Sequence, residues 1–184
     1  MTPLPFATQA EWMAWLAANP DAREVWVLYH KKGGLPSIDW EQAVIGAIAH
    51  GWIDGIRKTV NETQWMQRFT PRKPGSAWSA KNTAHAEKLI LEGRMTPAGL
   101  AHVTAAKADG RWELAYSGGK TADLPQDFLD AVASIPAAQA TLQTLDSRNR
   151  YAIYYRLTTA KRPETRAKRL TDFVAMLARG DKLI

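Results

Sequence analysis

The chain has 184 residues, 46% of them hydrophobic, enough for one domain with a buried core or one domain with an appendage, which excludes wholesale disorder. It contains no cysteine, which excludes disulfides, thiolate nucleophiles and Cys-ligated zinc, iron–sulfur or haem sites. The formal charge of +6 is unevenly placed: residues 148–184 carry +7, and all eight tryptophans lie in the first 112 residues.

Thr8-Gln9-Ala10-Glu11 reads as a capping box opening a helix that carries Trp12, Trp15 and Leu16 on one face and ends at Asn19-Pro20. The apolar run from Val25 to Tyr29 fits a strand buried on both faces, and Lys32-Gly33-Gly34 is a turn. Ser37 is expected to cap a helix in which Trp40, Val44, Ala47 and Ile48 recur at helical spacing, with Gly51 as its C′ residue. Two strands follow, over 52–60 and 63–70. In the second, Trp65, Gln67 and Phe69 share one face while Met66, Arg68 and Thr70 share the other.

After Gly75 the pattern becomes helical. Ser76 or Ser79 caps a helix to about Glu92 with Ala86, Leu89 and Ile90 inward, and Thr96-Pro97 opens another carrying Leu100 and Val103. Residues 117–123 read as a loop. Helices are expected over 125–134, 137–145, 147–158 and 163–179, the last with Leu170, Phe173, Val174 and Leu177 on one stripe. Strands that precede helices argue an α+β chain. A small N-terminal α/β part with a short, mainly antiparallel sheet, residues 1–75, is followed by a mostly helical part, residues 76–184, with basic last helices. Residues 1–10 lack a basic segment followed by an apolar one, and no apolar run is long enough to cross a bilayer, so the expected location is the cytoplasm.

Five ordered motifs carry a resemblance: Gly51-Trp52-Ile53-Asp54-Gly55; Arg68-Phe69-Thr70-Pro71-Arg72; Ser76-Ala77-Trp78-Ser79-Ala80-Lys81-Asn82; Gly93 to Leu100; and Ala106 to Trp112. With Ala160 to Arg166, this set resembles the YdeI/OmpD-associated, or bacteriocin-protection, family over roughly the whole chain. Arg72-Lys73 stands where some relatives have Arg-Arg, a change that keeps charge but not planar donor geometry. The resemblance implies a bacterial accessory protein linked to tolerance of bacteriocins or envelope stress, without an established enzymatic activity.

Read for chemistry, Asp54, Arg68, Arg72, Trp78, Ser79 and Asn82 make a candidate pocket for a small anionic ligand where the two parts meet. Guanidinium groups grip anions bidentately, a helix N-terminus offers free amides, Trp78 can stack, and Asp54 can orient Arg68. The same residues also read as helix caps, a core tryptophan and a structural Asp54–Arg68 ion pair. A second candidate is the basic stripe Arg162, Arg166 and Arg169 on the last helix, with Tyr151, Tyr154 and Tyr155 interleaved among arginines upstream. Basic residues among aromatics suit nucleic acid or an anionic surface, and also suit a solvated helix face.

The four histidines lack metal-ligand spacing, and no GxSxG, SxxK or complete phosphate loop is present, Gly118-Gly119-Lys120-Thr121 echoing only the end of one. No metal or cofactor is expected. The readings left are a non-catalytic binder of a small anionic ligand or protein partner, a nucleic-acid-binding stress protein, and an enzyme with Asp54 as acid/base.

Overall fold

The computed structural model describes residues 2–31, 33–117 and 123–184. In chain order these form β1 (Leu4–Pro5), α1 (Gln9–Ala18), β2 (Val25–His30), α2 (Trp40–Ala49), β3 (Trp52–Thr59), β4 (Gln64–Pro71), α3 (Ala80–Leu91), α4 (Pro97–Ala108), α5 (Gln126–Ala133), α6 (Pro136–Gln143), α7 (Ser147–Thr158) and α8 (Pro163–Ala178). The expected α+β organisation holds, with the sheet in the N-terminal half and a mostly helical C-terminal part. Lys32 of the expected turn and residues 118–122 of the expected loop lie outside the described residues. The chain groups into two units, Met1–Ser76 with Asn82–Glu113, and Ala77–Lys81 with Leu114–Ile184.

In the first unit the strand order is β1-β2-β4-β3. The sheet is mixed: β1 runs parallel to β2, while β2 with β4 and β3 with β4 are antiparallel. β1 is only two residues long and left no periodicity in the sequence to read. The period-two pattern of β4 puts Gln67 and Phe69 on one face, as expected, and that face is the buried one. That face is packed by α1 and α2. Trp12, fully buried, lies 5.4 Å from the Phe69 ring and 5.1 Å from Phe6, and its indole N–H donates to the Ala43 carbonyl at 2.9 Å. α1 approaches α2 so closely that a Cβ at Gly46 would stand 2.7 Å from Trp12 Cδ1.

Several caps differ from the reading. Thr8 accepts from the Glu11 amide as expected, but the Glu11 carboxylate accepts from Ala7 rather than closing the box on Thr8. α2 is capped by Asp39 in a full capping box with Gln42, whereas the Ser37 hydroxyl accepts from the His30 amide. The three-residue spacing from Asp39 to Gln42 lets each side chain accept from the other's backbone amide, which a lone serine two residues earlier cannot do. Ser76 accepts from the Lys73 amide and so closes a turn instead of capping α3. Ile90 and Leu100 are exposed, because α3 and α4 bury only narrow stripes around Ala86, Leu89, Val103 and Ala106.

In the second unit α5 to α8 enclose an apolar cluster of Phe128, Val132, Leu142, Ile153, Leu157 and Leu177, among others. Tyr151, Tyr154 and Tyr155 pack against or within this cluster, and the Tyr154 hydroxyl accepts from the Ser117 amide at 2.8 Å. A parallel bridge joins Ser79 to Tyr116.

Candidate functional site

β3 departs from regular pairing between Asp54 and Arg57, which oppose Phe69 and Gln67, so β3 carries one residue more than β4 there. This bulge turns the Asp54 carboxylate and the Gly55 carbonyl toward a single side chain. Gln67 Nε2 donates to Asp54 Oδ2 at 3.0 Å and to Gly55 O at 3.2 Å. Gln67 is 5% exposed, and its Oε1 is buried without a hydrogen-bond partner among the described residues. Burial pushes the Asp54 carboxyl above the usual range, against the opposing pull of a backbone hydrogen bond, the Arg72 charge and hydrogen bonds from Gln67 and the Trp40 side chain.

Arg72 follows directly after β4 and is 4% exposed, although it is charged at any physiological pH. Its amide donates to the Gly51 carbonyl at 2.9 Å, which fixes the end of β4 against the α2–β3 turn. Gly51 has φ +75, and a Cβ there would meet His102 Cδ2 at 2.9 Å and the Ala98 carbonyl at 3.1 Å. α4 therefore packs its His102 directly over that turn. Burial first, then the charges of Arg72 and Arg111, hold the His102 imidazole below its ordinary value and so toward the neutral form. Arg111 Nη1 donates to the Ser76 carbonyl at 2.7 Å, and its Nε contacts both Asp109 carboxylate oxygens at 2.7 Å.

Tyr29 completes the buried polar region. Its ring stacks on Trp65 at 3.9 Å, with the Arg57 guanidinium over Trp65 at 4.0 Å. Its hydroxyl is buried with no hydrogen-bond partner among the described residues, and burial, Asp54 and Asp39 all push its ionisation upward.

Of the six expected pocket residues, Asp54 and Arg72 fall in one electrostatic cluster within the first unit. Arg68 does not pair with Asp54. Alternation along β4 puts it on the opposite face of the sheet, where its Nε donates to Glu24 at 2.7 Å. Trp78 and Ser79 belong to the second unit; Trp78 is buried, and its carbonyl accepts from the Tyr116 amide at 3.1 Å. Asn82 stands in the first turn of α3. Gln67, His102 and Arg111 are not among the residues expected from the sequence to form the site. A signal existed for Gln67, a polar residue between Trp65 and Phe69 on an aromatic strand face, and Arg111 lies inside the fifth motif.

The basic stripe is partly engaged. Arg166 forms a two-point contact with Asp127, with Nη2 to Oδ1 at 2.9 Å, and Arg169 Nη1 donates to the Arg156 carbonyl at 2.6 Å. Arg162 is exposed at the start of α8. Among the described residues no group of three or more His, Asp or Glu is arranged to hold a metal ion, and no helix is long and apolar enough to cross a membrane.

Residues 4–102 match the family model described as a domain of unknown function, DUF8412, and residues 121–180 match the model described as Bacteriocin-protection, YdeI or OmpD-Associated. The first match contains Asp54, Gln67, Arg72 and His102; the second contains the basic stripe. No curated protein and no solved structure matches the chain.

Proposed function

The chain belongs to the DUF8412 family and carries a YdeI/OmpD-associated, bacteriocin-protection segment, and on that premise we propose that it is an accessory protein binding a small anionic ligand at the Asp54–Arg72–His102 cluster. The observation that carries this reading is the nearly complete burial of Arg72 beside an imidazole held toward neutrality and a carboxyl that burial makes reluctant to ionise. A buried guanidinium favours an incoming anion, which gains charge-assisted and bidentate hydrogen bonds in a poorly solvated setting. Neutral His102 supplies a further donor without adding a charge that the free protein would have to bury.

The test is a thermal-shift titration with inorganic phosphate, pyrophosphate, citrate and nucleoside phosphates. At least one of these anions is expected to raise the melting temperature saturably, and Arg72→Lys, which keeps the charge but loses the planar fork, is expected to abolish the shift. The bound anion should also raise the His102 pKa in an NMR titration, since a negative charge favours imidazolium. A shift of equal size in Arg72→Lys would refute the reading.

A further inference from the structure

The outer face of the sheet, opposite the Asp54 cluster, carries a groove of its own. β2 and β4 place Trp26, Met66 and Arg68 there by alternation, and Lys58 joins them because it pairs with Met66 across the β3–β4 ladder. Lys58 Nζ lies 4.9 Å from the Trp26 ring centroid. Together with Glu24 and Ile56 these side chains line a cavity of about 400 Å³, a size suited to a small molecule.

Three features describe the occupant. The floor is apolar, formed by Trp26, Met66 and Ile56. Ile56 is 56% exposed because the bulge pushes it out of the regular ladder. The walls carry two cations and one carboxylate, which leaves one positive charge uncompensated. Arg68 is engaged only in part: its Nε and Nη2 both reach the same Glu24 oxygen, and its side chain remains 41% exposed, so further guanidinium N–H groups face the groove opening. We propose that this outer-face groove binds a monocarboxylate with an apolar body, the carboxylate held between Arg68 and Lys58 and the body lying on Ile56 and Met66. A monoanion balances the surplus charge. A dianion leaves an excess negative charge beside Glu24, and a neutral ligand leaves the surplus positive charge unbalanced.

The experiment follows the tryptophan indole N–H signals of ¹⁵N-labelled full-length protein, with the Trp26 signal identified by its loss in Trp26→Phe. Titration with 4-phenylbutyrate is expected to shift the Trp26 signal saturably. Lys58→Gln and Arg68→Gln are each expected to weaken binding about tenfold, the loss of one charge-assisted contact. The uncharged 4-phenylbutan-1-ol and, at about pH 8, dianionic phenyl phosphate are both expected to bind more weakly than 4-phenylbutyrate. Lys58 is exposed, so Lys58→Gln tests the proposal even where Arg68→Gln unsettles the fold by stranding Glu24. An unmoved Trp26 signal, an alcohol or phosphate that binds as tightly, or a Lys58→Gln protein that binds like the wild type would overturn it.

Discussion

Gln67 and Asp54 are joined by a half-buried hydrogen bond of 3.0 Å across the β3 bulge, where Gly55 and Ile56 together stand against Arg68. The same Gln67 nitrogen also satisfies the Gly55 carbonyl, so one amide side chain supports both the bulge and the carboxylate beside Arg72. Replacing it with leucine keeps the volume but leaves an acceptor pair without its donor. Gln67→Leu is expected to destabilise the protein by roughly 1–3 kcal/mol in urea denaturation, the range for stranding buried polar groups. A double-mutant cycle with Asp54→Asn should show coupling, because the two residues share that bond.

Asp54 has a raised pKa, led by burial, so the folded state holds its proton more tightly than the unfolded state does. The stability this contributes is fully present below the unfolded carboxylate value and is lost as pH rises through the folded one. Asp54→Asn removes the titration. Its melting temperature relative to wild type is therefore expected to climb as pH rises from about 4 to about 8. His102 acts with the opposite slope: its folded pKa is lowered, so its contribution is present above the ordinary imidazole value and lost as pH falls through the folded value. Melting curves of Asp54→Asn and His102→Gln across that range separate the two, and parallel curves for mutant and wild type would contradict both assignments.

What was legible in the sequence depended on locality. The Thr96-Pro97 start, the α7 boundaries and the apolar stripe of α8 are written in neighbouring residues, and the fold follows them. Arg68 shows where this ends. Its face on β4 could be read from alternation, but its partner Glu24 lies 44 residues away and is brought to it by the β2–β4 register. Asp54 seemed a natural partner because of its charge, yet its backbone opposes Phe69, on the other face. His102 reaches the cluster through α4 packing over Gly51, a contact no spacing in the sequence encodes. The cap of α2 falls on Asp39 and not on the expected Ser37, because Gln42 returns the Asp39 hydrogen bond.

Gly46 allows α1 and α2 to approach to a distance a side chain would forbid. Gly46→Ala gains helix propensity of about 1 kcal/mol, but its Cβ would meet the rigid, fully buried Trp12 ring at 2.7 Å. Overpacking of a fixed core typically costs about 1–3 kcal/mol, so the net change is expected to be destabilising. The neighbouring Gly46→Val should be worse still, and a stabilised Gly46→Ala protein would mean that Trp12 has room to move.

Asn149 is a buried polar residue in the second unit, 3% exposed, and it holds the end of the chain. Its Oδ1 accepts from the amides of Leu183 and Ile184 at 3.1 and 3.0 Å, while Nδ2 donates to the Ile184 carbonyl and to Asp146. Asn149→Ala leaves these backbone groups without their partner and opens a small gap beside α7. The expected loss is about 1–3 kcal/mol. Amide exchange at Leu183 and Ile184 should quicken far more than at Phe173 or Leu177 in the α8 core, because it is the two tail amides that lose their acceptor while the α8 ladder is untouched. Removing Leu183 and Ile184 from the Asn149→Ala protein should then cost only what the Leu183 side chain contributes by packing against the apolar cluster. A full additional loss would show that the tail is anchored elsewhere.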